Sequence, residues 1–198
     1  MKMKFIRTVF GVMLIGGLAF TTQSCKSKQA AVAPVAEQKV ADEVEIVVPC
    51  TGEQYNSNAK AIRFSAIGES MDQMTAKKKA MSEARAGLAA AINTLVKGVT
   101  DNYVKSGNFN NKEELLKNYE GMNREVINQS LNGAVVICEK ATKTKTGNYK
   151  YYVCMELGGS EILQALNNKA TSNEMLKVDY NYEKFKKTFE EEMSKMGK

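Results

Sequence analysis

GAVVICEKA (residues 133–141) and YKYYVCMEL (residues 149–157) flank the short stretch TKTG (residues 144–147), and how these three pieces fit together decides the fold. Both arms are rich in β-branched and aromatic residues, the composition of paired strands. A three-residue loop, Lys145-Thr146-Gly147 with Gly147 in the left-handed conformation, is a common hairpin connection. That loop sets Val135 opposite Leu157 and Ile137 opposite Met155, an apolar pair of rows suited to a core face. It also sets Cys138 opposite Cys154. A two-residue Gly147-Asn148 turn is the alternative, and it would break that facing.

Upstream, AKAIRFSAIGES (residues 59–70) reads as a further strand. Ile62, Phe64 and Ala66 point one way and Arg63, Ser65 and Ile67 the other; Gly68 is expected to end it. EIVVPC (residues 45–50) could add an edge strand, with Pro49 limiting its pairing. Ser70 then has the position of a helix N-cap, with Gln73 completing a capping box. Met74, Met81, Ala84, Leu88, Ala91, Leu95 and Val99 recur at helical spacing up to about Tyr103. Ala80, Ala84, Gly87 and Ala91 form a strip of small residues that permits close approach to a sheet. Gly87 costs the helix about 1 kcal/mol relative to Ala, so packing is the expected reason for it.

SGNFNN (residues 106–111) breaks that helix, and Asn111 with Glu114 starts another, whose stripe is Leu115, Tyr119, Met122 and Val126. Asn132-Gly133 turns the chain into the hairpin. Gly158-Gly159-Ser160 opens a third helix with Ile162, Leu163 and Leu166 inward. The tail VDYNYEKFKKTFEEEMSKM reads as an amphipathic helix with Tyr182, Phe185, Phe189, Met193 and Met196 on one stripe, expected to dock on the domain. Lys186 with Glu190 and Lys187 with Glu191 have i,i+4 spacing. The predicted class is α+β: a small antiparallel sheet built from one strand and a hairpin, covered by consecutive helices.

FSAIGES, then AKKKAMSEARAGLAAAI, then GNYKYYVCMEL, in that order, resemble the twenty-kilodalton bacterial lipoprotein (LPP-twenty-like) family. The matching positions are Gly68, Ser70, Ala76, Ala80, Ala84, Arg85, Leu88, Tyr151, Tyr152 and Val153. The resemblance spans roughly residues 60–160. It implies a strand–helix–strand–strand domain at the cell envelope and brings no established reaction or catalytic residue with it. It does single out Arg85. An anion or partner contact is one role for that side chain; a salt bridge or hydrogen bonds tying the helix to the sheet edge is the expected one.

The leader agrees with an envelope address. Residues 1–24 join a basic MKMKFIR, a 12-residue apolar VFGVMLIGGLAF and a small polar TTQS, the build of a secretory signal. Twelve residues at 1.5 Å reach about 18 Å, short of the roughly 30 Å hydrocarbon core. Ser24-Cys25-Lys26 after the apolar run resembles a lipobox, although Thr22 stands where Leu is usual. The resemblance implies that the Cys25 thiol carries a diacylglycerol, that the chain is cut before it, and that the new N-terminus is acylated. Two or more acyl chains such as palmitate anchor stably where one does not. Residues 26–45 lack aromatic residues and read as a tether, leaving 46–198 as a single domain. By similarity to lipoprotein sorting, the absence of Asp after Cys25 implies transfer to the outer membrane, and the absence of an acidic export tag implies the periplasmic face.

The chain has no histidine and no tryptophan, so the commonest general base and metal ligand are missing. Of the formal charge of +6, Lys2, Lys4 and Arg7 supply three in the leader, and the small surplus left speaks against nucleic-acid binding. Beyond Cys25, the cysteines are Cys50, Cys138 and Cys154. Three readings stay open: a Cys138–Cys154 disulfide with Cys50 free, buried thiols, or a redox role, for which no Cys-x-x-Cys motif is present. No metal or cofactor is expected. The function expected is a non-enzymatic lipoprotein that works through protein or envelope contacts; a small-ligand module with an apolar pocket between sheet and helix is the alternative. Cys25→Ala is expected to abolish signal cleavage and membrane partitioning, read by detergent-phase fractionation of cells; unchanged fractionation would sink the lipid anchor.

Overall fold

The computed structural model describes residues 46–197. The expected signal, Cys25 and most of the tether lie outside the described residues. Strand β1 (Ala61–Ser70) leads into helix α1 (Gln73–Ser106), followed by α2 (Lys112–Ser130), β2 (Val135–Lys143), β3 (Tyr149–Gly158), α3 (Gly159–Ser172) and α4 (Tyr182–Met193). The strands form one antiparallel sheet in the order β1-β3-β2, so the last strand in sequence lies in the middle. This is the α+β class expected, with a small sheet and its helices on one face.

The close approach of α1 to that sheet follows from small residues on both sides. Ala76, Ala80, Ala84 and Leu88 are fully buried along the helix. Opposite them, a Cβ built on Gly68 would overlap the Ala76 carbonyl and stand 2.5 Å from the Ala80 backbone nitrogen. Gly68 therefore does not end the strand. It is the point inside β1 where backbone meets backbone, and pairing continues to Ser70 opposite Tyr149. Gly87 plays the converse role: a Cβ there would overlap the ring of Phe64. The small-residue strip thus packs on the protein's own sheet.

The start of α1 differs from expectation. Asp72, not Ser70, is the N-cap, its carboxylate accepting from the Thr75 amide at 2.8 Å. The helix begins later because β1 carries pairing through Ser70, and Met74 is consequently outside the core, 60% exposed. At the second helix the expectation holds. Asn111 accepts from the Glu114 amide at 3.3 Å, and Leu115, Tyr119, Met122 and Val126 are buried.

At 34 residues, α1 is about 50 Å long, too long to be covered by the sheet alone. Its second half extends the same core among α2, α4 and the turn before α4. Tyr103 sits at the centre, with the rings of Phe109, Tyr119, Tyr180 and Phe185 around it at centroid distances of 5.2–6.3 Å, a spacing at which aromatic pairs attract. The Tyr103 hydroxyl accepts from the Asn181 amide at 2.7 Å and donates to the Asp179 carbonyl at 3.1 Å. That bond fastens the chain entering α4. Burial pushes the Tyr103, Tyr119 and Tyr180 hydroxyls above the ordinary 10.0. Phe185, Phe189 and Met193 dock α4 as expected, whereas Tyr182 is 41% exposed and lies off the stripe. Lys186 and Glu190 pair at 4.0 Å.

The hairpin uses the three-residue loop, with Gly147 at φ 96° and its amide on the Thr144 carbonyl at 3.0 Å. Cys138 faces Cys154 as that loop dictates. Beyond them a bulge at Ile137 shifts the register, so Val135 faces Glu156 and Val136 faces Met155. The expected rows Val135–Leu157 and Ile137–Met155 do not form. Val135, Val136 and Ile137 lie on an edge strand and are exposed, Val135 at 54%. A bulge at an unpaired edge re-aims side chains and discourages further pairing. Residues 46–50 add no strand either. They run into a turn at Pro49 and Cys50, where Cys50 adopts φ 59°.

Gly68→Ala is expected to lower stability by about 1–3 kcal/mol, since the overlap is with backbone that cannot move aside. Gly121 in α2 has open space around it, and Gly121→Ala is expected to raise stability by up to about 1 kcal/mol. Urea unfolding midpoints of the two variants should shift in opposite directions; equal shifts would refute the close-approach argument.

Candidate functional site

The face of the sheet turned away from α1 carries the features that the core does not use. Strand alternation and the register arrange its side chains in rows across β1, β3 and β2: Arg63 and Glu156; Ser65, Cys154 and Cys138; Ile67, Tyr152 and Lys140; Glu69, Lys150 and Thr142.

Residues 50–58 cover the first two of these rows. Ser57 brackets β1, its hydroxyl accepting from the Arg63 amide at 2.9 Å and donating to the Arg63 carbonyl at 3.2 Å. Arg63 pairs with Glu156 at 2.5 Å and donates to the Asn56 carbonyl at 3.0 Å. The Ser65 hydroxyl donates to the Cys50 carbonyl at 2.6 Å. The covering segment is then locked by a disulfide between Cys50 and Cys138, Cα atoms 5.5 Å apart and 88 residues apart in sequence.

This corrects the expected Cys138–Cys154 bond: among the described residues Cys154 is the free cysteine, fully buried under the segment. The two do face each other, but directly opposed residues in a ladder hold their Cβ atoms about 4.5–5.5 Å apart, whereas a disulfide prefers about 3.8 Å. Cys50 arrives from above the face and is free to set its own distance. Burial pushes the Cys154 thiol above its ordinary value, with the neighbouring Ser65 side chain partly offsetting this.

The other two rows are open. Ile67 is 49% exposed, an apolar side chain on the solvent face of a strand. It stands in register with Tyr152, and Lys140 completes the row without an ion pair among the described residues. Glu69 borders it, accepting from Asn148 at 3.0 Å and facing Lys150 at 3.7 Å. The result is a shelf with an apolar and aromatic centre and a basic edge.

Arg85 is not part of this shelf. It lies on α1, on the other side of the sheet, is exposed, and has no hydrogen bond or ion pair among the described residues; the expected tie to the sheet edge is absent. The interface between sheet and α1, expected in the alternative reading to hold a ligand, is filled by the alanine contacts. A separate apolar groove of about 450 Å³ lies between Lys60, the start of α3 and α4, with Leu163, Phe189 and Met193 in its wall. Among the described residues no helix is long and apolar enough to cross a membrane, and no group of acidic and cysteine side chains is placed to hold a metal ion. Compared with family models, curated proteins and solved structures, the chain finds no match.

In the sequence, strand alternation already puts Ile67 on the face away from Ile62, Phe64 and Ala66. An isoleucine among polar residues on a solvent face was the signal for the shelf. The partner of Cys138 had a weaker one, the turn-forming Pro49-Cys50-Thr51-Gly52. Replacing both Cys50 and Cys138 by Ala is expected to cost about 2–5 kcal/mol and to expose residues 46–58 to protease under native conditions. Unchanged proteolysis would show that hydrogen bonds alone hold the cover.

Proposed function

We propose that this chain is a lipid-anchored cell-envelope protein, akin to the twenty-kilodalton lipoproteins it resembles, which acts by contact rather than catalysis. The open shelf of Ile67, Tyr152 and Lys140 is its contact surface. The observation that carries this reading is the disulfide that fastens the start of the domain to the sheet. Structural disulfides persist in oxidising compartments outside the cytoplasm, which agrees with a signal sequence ending at Cys25. The bond's place matters as well: Cys50 is where the chain from the expected anchor first meets the domain. Any pull between a membrane and a bound partner enters the sheet there, through a covalent bond.

The partner that fits the shelf is a protein. A half-exposed isoleucine beside a tyrosine supplies an apolar anchor of the kind enriched at interfaces, and Lys140, without an ion pair among the described residues, favours an acidic group opposite. Binding of a small apolar ligand is the second reading, favoured by the groove between α3 and α4 rather than by the sheet–helix interface.

A photo-crosslinking side chain introduced at Tyr152 in the anchored, full-length protein is expected to capture a discrete partner in intact cells. The same group at Arg85 is expected to capture none. Equal capture from both positions, or none from Tyr152, would remove the shelf from the proposal.

A further inference from the structure

Three cysteines meet on one row of the sheet. Ser65, Cys154 and Cys138 lie side by side across β1, β3 and β2. Cys50 spans that row from above: its carbonyl is held by Ser65 at one end and its sulfur is bonded to Cys138 at the other. Cys154, the middle member, is therefore a buried free thiol directly opposite Cys138 in the ladder, under the covering segment whose Tyr55 carbonyl its sulfur meets at 3.9 Å. Among the described residues, Cys50 is also the non-glycine residue with a left-handed backbone, φ 59°, a conformation that needs support from its surroundings. The bond and the Ser65 contact supply it.

We propose that Cys154 is a resolving thiol that releases the cover from the sheet by internal disulfide exchange. The Cys154 thiolate attacks the Cys138 sulfur, a Cys138–Cys154 bond forms, the Cys50–Cys138 bond breaks, and Cys50 leaves as a thiolate that takes up the proton Cys154 gave up. One disulfide and one thiol are present before and after, so no oxidant or reductant is consumed. The two states oppose each other physically. The Cys50–Cys138 bond sits easily but holds Cys50 left-handed. The exchanged bond frees Cys50 but has to draw two opposed strands together. Closed is thus the resting form, and tension on the chain leading into Cys50 favours the exchanged one. With Cys50 released, residues 50–58 keep only their hydrogen bonds and the Arg63 contact, and the shelf can extend over the rows they covered. That consequence rests on the proposed contact role; the exchange itself does not.

Exchange requires the thiolate. Burial disfavours it at Cys154, so the rate is low at neutral pH and climbs as pH rises toward the thiol's raised value. The other groups around this row are Arg63 on β1, Glu156 and Tyr152 on β3, Lys140 on β2 and Tyr55 in the cover.

The test is native-state trapping of the purified full-length protein with N-ethylmaleimide, without reductant, followed by peptide mapping. Label is expected on Cys50, with Cys138 and Cys154 recovered as a disulfide-linked pair, and its rate should rise about tenfold from pH 7 to pH 8. Cys154→Ala and Cys154→Ser should both abolish Cys50 labelling. Label on Cys154 with the Cys50–Cys138 bond intact, label on Cys138, or Cys50 labelling that survives loss of the Cys154 thiol would each overturn the proposal. No partner protein is needed, so failure here is distinguishable from failure of the contact role.

Discussion

The contact between α1 and the sheet at Gly68 is the constraint on which the remaining structure depends. Helix backbone and strand backbone meet there at a distance that admits no side chain, and Ala76, Ala80 and Ala84 continue the approach along the helix. A helix set that close covers β1 and β3 but not β2. The consequence is visible in burial: β3, in the middle, has five of its ten residues buried and none exposed, while every residue of β2 is exposed or half-exposed. Glu139 of β2 reaches back to α1 through Lys77 at 2.9 Å and to the Tyr151 hydroxyl. These exposed polar ties stand where apolar packing would be if the helix lay farther from the sheet and more centrally.

The same contact explains why the one continuous core is packed differently along the two halves of α1. An alanine face packs tightly but buries little area per residue, and the hydrophobic term scales with apolar area removed from water. The second half of α1 makes up the difference with Tyr103 and Val104, around which Tyr119, Tyr180 and Phe185 gather. Small residues on one half and aromatic residues on the other are two solutions to packing on one helix. The first gives closeness, the second area. Among the described residues, Asn123 Oδ1 and Ser130 Oγ on α2 are the buried side-chain atoms without a hydrogen-bond partner, Asn123 donating through its amide to Thr100 at 3.3 Å.

Periodicity made the helices and the hairpin loop legible because each rests on neighbours in sequence. Asn111 with Glu114 and Gly147 in its loop were readable for that reason. What escaped depends on residues far apart. The N-cap moved from Ser70 to Asp72 because β1 pairs with β3 through Ser70, a pairing that no local pattern announces. The bulge at Ile137 reflects an edge position, and edge or centre is a property of strand order, not of the strand. The disulfide illustrates this most sharply. The cross-strand facing of Cys138 and Cys154 was legible and correct, yet the bond goes to a cysteine 88 residues away, because a ladder's spacing suits a disulfide less well than a segment crossing above it does. The candidate shelf was legible only as an anomaly, Ile67 on a face otherwise given to Arg63 and Ser65.

A two-layer sheet domain normally leaves one face to solvent and keeps it polar. Here that face is divided. One half is closed by a segment held through Ser57, Ser65, Arg63 and a covalent bond; the other exposes Ile67 and Tyr152. If the cover served only to shield apolar surface, it would lie over Ile67. Instead it lies over Cys154 and the Arg63–Glu156 pair, which a polar face could have left exposed at little cost. The placement makes sense when the cover is judged by where it attaches the chain rather than by what it hides. It brings the path from the N-terminal side to the middle of the sheet, against the central strand, and leaves the apolar row free for something other than this chain.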